Sequence, residues 1–333
     1  MKRKIKLKQV IILLLLVFMC VFALSNYKNY KLLKNGYSIN EVKEINKNLI
    51  SDDIKSLIKR NYTKDVIRII ESKKFKPTNF NNYLKLLDEL GNYNDKIIDI
   101  VNEKYYKRTL SKRYINYYKN NKDITSRQIV EDVNCNLDYE YYKVDYKVDL
   151  TKKYQVLVNK FYKLDKEYIP NNLVKIDKKY GRERQVEKRV YEAFIEMYNA
   201  IEKEGMGIYI TSPYRSYSYQ KSLYNNYVKD NGTKKADTFS ARAGYSEHQT
   251  ALAIDIAAKD SMYTKFATTK EFEWMLKNCY KYGFILRYPE NTRDTTGYDF
   301  EPWHYRYVGI EAAKIIHDEN LLFEEYYSYY IQK

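Results

Sequence analysis

Three short stretches hold residue types that can do chemistry together. "SEHQTALAID", Ser246 to Asp255, supplies one of only three histidines in the chain, with an aspartate seven residues later. "EPWH" supplies Glu301 and His304 about fifty residues further on. "SPYRSY" puts Arg215 in a turn after a strand-like run. A catalytic zinc site needs three protein ligands, commonly histidine and carboxylate, plus an open position for water. His248, Asp255 and His304 meet that requirement. Glu301 is then the spare carboxylate that takes the water's proton and passes it to a leaving amine. Arg215 is the cation that steadies an oxyanion at the reacting carbonyl. Each residue also has a plain structural reading. His248 can be a satisfied polar residue beside a strand, Asp255 a cap, and His304 a packing partner of Trp303. Spacing alone leaves both readings open, because no HExxH helix is present. His317 reads as a helix-end residue, and Glu247 as a solvated or turn acid.

The elements that must position these residues are mixed. "VYEAFIEMYNAIEKEG" predicts an amphipathic helix stopped at Gly205, and "SYQKSLYNNYVKDNG" a helix closed by Gly232. "GIYITSPYRS", "LAIDIAA", "FILRYP" and "EPWHYRYVG" predict strands. Helices and strands follow one another without a regular βαβ beat. The expected class is therefore α+β, a small domain with an antiparallel-type sheet flanked by helices. Upstream, residues 37–150 read as short capped helices and a connector, with Ser38 and Glu41 forming a capping-box pattern and Pro77 breaking the run. No catalytic cluster appears there.

The N-terminus bounds the compartment. "MKRKIKLKQ" is a cationic lead, and Val10 to Leu24 is an uninterrupted apolar run. Residues 1–36 are expected to be a basic lead, a membrane anchor or signal segment, and a linker. The lysines hold that end in the cytosol. The rest is expected on the extracytoplasmic face, single-pass if the segment is kept and secreted if it is cleaved. The formal net charge is +16. Export removes nucleic acid as a partner and favours anionic wall polymers or lipid head groups. The 39 tyrosines accompany a Lys-, Asn- and Ile-rich composition and define no binding stripe. Cys135 and Cys279 are either a disulfide or two small buried residues.

"SPYRSYSYQ", "GYSEHQTALAIDI", "NCYKYGFILRYP" and "TGYDFEPWHYRYVG" together resemble the VanY-type D-alanyl-D-alanine carboxypeptidases, zinc peptidases of bacterial cell walls. The likeness covers roughly residues 155–325, with the blocks in the same order. It implies a zinc carboxypeptidase domain over 151–333 whose substrate is the peptidoglycan stem peptide. It carries the zinc ligands onto His248, Asp255 and His304, the base onto Glu301, and the substrate-holding arginine onto Arg215. Ser246 and Gln220 fall on positions that line the substrate cleft, and Trp303 walls the site. The implied activity is removal of a C-terminal D-Ala, with L,D-carboxypeptidase action on the tetrapeptide, or wall binding without turnover, as alternatives. One position departs from the pattern. The family's glycine is Ala251 here, where glycine would allow a positive φ or a close backbone approach, and an added methyl is expected to narrow the cleft or lower the rate without abolishing zinc binding. Oligomeric state is left open.

Overall fold

The computed structural model describes residues 7–60, 64–259 and 261–332. The start of the basic lead, 1–6, and Thr63 lie outside them. The chain forms two compact units, Met1–Val133 and Asn134–Lys333.

The first unit opens with a helix, Leu7–Lys34, whose stretch from Val10 is long and apolar enough to cross a membrane. Its apolar side chains from Val10 to Met19 are exposed. Short helices follow. Ile39–Asn48 starts at the expected capping box: Ser38 Oγ accepts from Glu41 N–H, and Glu41 accepts from Ser38 N–H. Two later hairpins, beginning at Phe80 and Ser111, repeat one device 31 residues apart. Lys76 N–H donates to Tyr83 Oη at 3.2 Å, and Lys107 N–H donates to Tyr114 Oη at 3.1 Å. In each case an aromatic residue, Phe75 or Tyr106, packs on that tyrosine. Neither hairpin can bury its apolar face alone, so stacking builds a continuous core through Leu84, Leu87, Ile97, Ile100, Tyr114 and Ile129.

The second unit holds a four-stranded antiparallel sheet. Its strands are β1 (Ile208–Ser212), β2 (Ala253–Ala258), β3 (Phe284–Leu286) and β4 (His304–Tyr307), in spatial order β1-β2-β4-β3. All of β2 and β4 is buried, because the sheet is covered on both faces. That is why "LAIDIAA" is apolar on both faces except at Asp255, rather than alternating. Helix Lys188–Glu202 covers the sheet with Val190, Ala193, Phe194, Met197, Tyr198 and Ile201, a helical 3–4 spacing. Glu187 caps it, accepting from Val190 N–H at 3.0 Å. Truncating the fully buried Phe194 to Ala would cost about 3–5 kcal/mol. The mixed architecture is the α+β class that the sequence predicts. Residues 134–150, expected to belong with the upstream connector, pack in this second unit: Tyr146 pairs with Tyr162, and Val148 joins the sheet's core.

Candidate active site

Strand register brings the site together. Asp255 on β2 is the direct partner of His304 on β4, and of Ser212 across the bulge in β1. Registered partners project from the same face of a sheet, so the three side chains meet at one spot. His248 arrives from a tight 3-10 turn, Glu247–Thr250, just before β2. Ala251 reverses the chain between turn and strand in the left-handed region, with φ 57° and ψ 13°.

Among the described residues, His248, Asp255 and His304 offer ligand atoms that all lie within 4.8 Å of one another. His248 Nε2 is 3.3 Å from Asp255 Oδ1, and His304 Nδ1 is 3.2 Å from the same oxygen. Ligand bonds of about 2.0–2.1 Å around a tetrahedral zinc place neighbouring ligand atoms about 3.3 Å apart. Two imidazoles and a carboxylate with this spacing therefore suit zinc. The opposite ring nitrogens are already committed. His248 Nδ1–H donates to the Pro213 carbonyl at 2.8 Å, and His304 Nε2–H donates to Glu247 at 3.2 Å. Such partners fix which nitrogen is left for a metal.

Burial and neighbours set the charges. Burial works against charge on Asp255, but His248 and Arg215 hold its carboxyl well below the usual range. Burial and Arg215 push His248 down to about 4. Burial also opposes charge on His304, yet hydrogen bonds to Asp255 and Glu247 outweigh it and raise the ring to about 9. Burial drives Glu301 up to about 7, with Asp255 adding to the rise. Glu301 Oε2 lies 3.7 Å from His304 Nδ1.

Arg215 reaches the centre from the turn after β1. Its Nη2 donates to Asp255 Oδ2 at 2.6 Å and its Nε to Ser212 Oγ at 2.9 Å. Its backbone N–H donates to the His248 carbonyl, tying the two turns together. Arg215, Ser246, Glu301 and Trp303 line one cleft of about 490 Å³ together with the three clustered residues. Trp303 walls it edge-on to Tyr263, at 5.2 Å between ring centres.

Gln220 behaves differently from the expectation. It is not among the residues lining the cleft. It is the one buried residue of helix Tyr217–Asn231, where its amide donates to the Ala241 carbonyl and its oxygen faces Arg215 Nη1. It braces Arg215 from behind. Ala251 is fully buried and likewise does not line the cleft, so its methyl does not narrow it.

Glu247 is the residue that sequence reasoning misplaced. It is neither solvated nor a free turn acid: only 2% of its surface is exposed. Besides His304, it accepts from Arg287 Nε at 2.8 Å and Arg306 Nη1 at 2.9 Å. Burial opposes its charge, but the two guanidinium groups hold its carboxyl strongly ionised. Arg287 is shared with the buried Glu324, and Arg306 also donates to the Tyr154 and Val156 carbonyls. The available signal was an arginine inside each of two short apolar strand segments, "FILRYP" and "HYRYVG". A charge there requires a buried partner. His317 lies at a helix end, stacked on Tyr280 at 3.8 Å, away from the site. Cys135 and Cys279 are both buried and are not joined to each other.

The chain is similar to known carboxypeptidases. A family model described as D-alanyl-D-alanine carboxypeptidase, VanY, matches residues 183–310. The protein YodJ of Bacillus subtilis (strain 168) is 40% identical over 205 residues, 57% of this chain and 75% of that protein. The D-alanyl-D-alanine carboxypeptidase of Enterococcus faecium is 34% identical over 184 residues, 52% of this chain and 57% of the relative. The solved structure of the LdcB LD-carboxypeptidase is similar at 39% identity and a TM-score of 0.53, covering 57% of this chain and 94% of that one.

Proposed function

The chain belongs to the VanY family of D-alanyl-D-alanine carboxypeptidases, and from that premise we propose that it is a zinc carboxypeptidase of the peptidoglycan stem peptide. It removes the C-terminal D-Ala from a D-Ala-D-Ala end. The observation that carries the reading is the meeting of His248, Asp255 and His304 in one cleft with a further buried carboxyl, Glu301, that is not one of the three.

His248 Nε2, Asp255 Oδ1 and His304 Nδ1 would hold the zinc. When bound, zinc lowers the pKa of a water to about 7 and polarises a carbonyl. Glu301 accepts the proton from the attacking water and delivers it to the departing amine of D-Ala. Burial raises the Glu301 carboxyl above the usual carboxylate range, the direction that suits a group which both takes and gives up a proton. Arg215 has N–H groups left over beyond its bonds to Asp255 and Ser212. These meet the charge that develops on the scissile carbonyl oxygen. Trp303 and Ser246 bound the cleft and limit how the peptide end can lie. The leading helix anchors the chain, and the catalytic unit works on the extracytoplasmic side.

A second reading has its own support. The likeness to an LD-carboxypeptidase over nearly all of that chain favours action on a tetrapeptide ending in a single D-Ala. Zinc-loaded, detergent-solubilised full-length protein should be incubated with a synthetic pentapeptide and with the tetrapeptide. D-alanine release from the pentapeptide, stopped by a chelator and untouched by β-lactam, is the expected result. Release from the tetrapeptide alone selects the second reading, and release from neither refutes both.

A further inference from the structure

Behind the cleft lies a buried cation that the proposed chemistry does not use. Lys160 is 3% exposed. Its ammonium donates to the Asp237 carbonyl at 2.6 Å and the Gly297 carbonyl at 2.5 Å. Three tyrosine rings surround it: Tyr298 at 4.4 Å, Tyr141 at 4.9 Å and Tyr142 at 5.6 Å. A cation facing several ring quadrupoles is held electrostatically without a carboxylate partner. The fit is tight at its far end. A Cβ on Gly297 would come within 2.8 Å of Lys160 Cδ and Cε and would displace the end of that side chain, and the φ of 80° itself favours glycine there.

The two carbonyls belong to two neighbouring segments that each contribute residues to the cleft. Asp237 precedes Phe239, Ser240 and Ala241, all lining residues. Gly297 opens the segment that runs through Tyr298, another lining residue, to Glu301. A ring path continues toward the centre, with Tyr298 against Tyr288 at 4.7 Å and Tyr288 against His304 at 5.0 Å. The two segments are also joined by Asp299 N–H to the Thr238 carbonyl and by Thr238 Oγ1 to Asp299 Oδ2, each at 2.8 Å. Loss of the lysine would therefore loosen this join without removing it.

We propose that Lys160 is a positioning residue that clamps the Asp237–Ala241 segment to the Gly297–Glu301 segment and so fixes where the Glu301 carboxyl points. The clamp acts through main-chain carbonyls and ring faces, and Lys160 touches no substrate. It rests on Glu301 being the proton-transfer group, so one of its tests must not depend on turnover.

Amide hydrogen exchange on the full chain supplies that test. In Lys160→Met, exchange should speed up in residues 237–241 and 297–301, while the central sheet keeps its protection. Unchanged exchange in both segments overturns the clamp, whether or not the protein is active. Kinetics then connects the clamp to catalysis. Lys160→Met should lower kcat about 10–100-fold, the scale of loss for a reacting group misplaced by about 1 Å, with KM within about threefold and zinc content unchanged. In Lys160→Ala, added propylammonium should restore part of kcat, while potassium chloride at the same ionic strength should not. A kcat equal to wild type in Lys160→Met overturns the proposal. A wild-type enzyme that releases no D-alanine defeats the proposed function instead, and leaves the exchange test standing.

Discussion

Asp255 and His304 are registered partners across the β2–β4 ladder, and their side chains meet at 3.2 Å. Two of the three proposed ligands are thus set by the hydrogen-bond register of the most buried part of the sheet. A one-residue slip of either strand would turn its residue to the opposite face, away from the other. The third, His248, hangs on a turn that Arg215 and Pro213 hold by backbone contacts.

Asp255→Ala should abolish stoichiometric zinc binding, because it removes the oxygen that both histidines face. It also strips Arg215 of its shortest partner. Metal analysis checks this, and full zinc content in the variant would contradict the ligand set.

Glu247→Gln should weaken zinc binding about 10–100-fold, since the carboxylate that orients His304 is lost. Glu247→Ala should also destabilise the fold by about 3–5 kcal/mol, because Arg287 and Arg306 would lose their shared buried counter-charge. Competition with a chelator measures the first effect and denaturant unfolding the second.

Ala251→Gly should leave stability within about 1 kcal/mol, because relief of the left-handed backbone is offset by a freer unfolded chain and by the loss of a fully buried methyl worth about 0.8 kcal/mol. The left-handed region costs a non-glycine residue about 1–2 kcal/mol, while glycine returns about 0.4–1 kcal/mol to the unfolded chain's entropy. Turnover should stay within about twofold, because the methyl is buried away from the cleft. Unfolding curves and steady-state rates test the two halves separately.

Lys160 gives a pH signature. Burial lowers its ammonium from the usual 10.5 to about 8. Between those values the unfolded chain holds a proton that the folded chain has released, so rising pH favours folding through this group. The stability of wild type relative to Lys160→Met should therefore improve as pH climbs from about 8 toward 10.5. Paired unfolding curves across that range read it directly, and a flat difference would contradict the assigned environment.

The three clustered residues could be picked out in the sequence because they sit in or beside two short apolar strands, His248 and Asp255 at β2 and His304 at β4. Only the four family-like blocks chose between their structural and metal readings. The capping box at Ser38 was visible for the same local reason. What was hidden depends on distant partners. Glu247 looks like an ordinary turn acid until β3 and β4 bring Arg287 and Arg306 against it. Gln220 looks like a cleft residue until the rotation of its helix turns it inward behind Arg215. Lys160 meets Gly297 only through the folded unit, across 137 residues of chain. The 31-residue recurrence in the first unit rests on single aromatic and lysine positions, easily lost among many tyrosines.

The most direct measurement pairs zinc content with D-alanine release for wild type and Glu301→Gln. Glu301 lines the cleft without being one of the three clustered residues. The variant should hold as much zinc as wild type while its turnover falls by about 10²–10⁴. Loss of zinc in Glu301→Gln, or turnover equal to wild type, would contradict Glu301 as the proton-transfer group of a zinc carboxypeptidase.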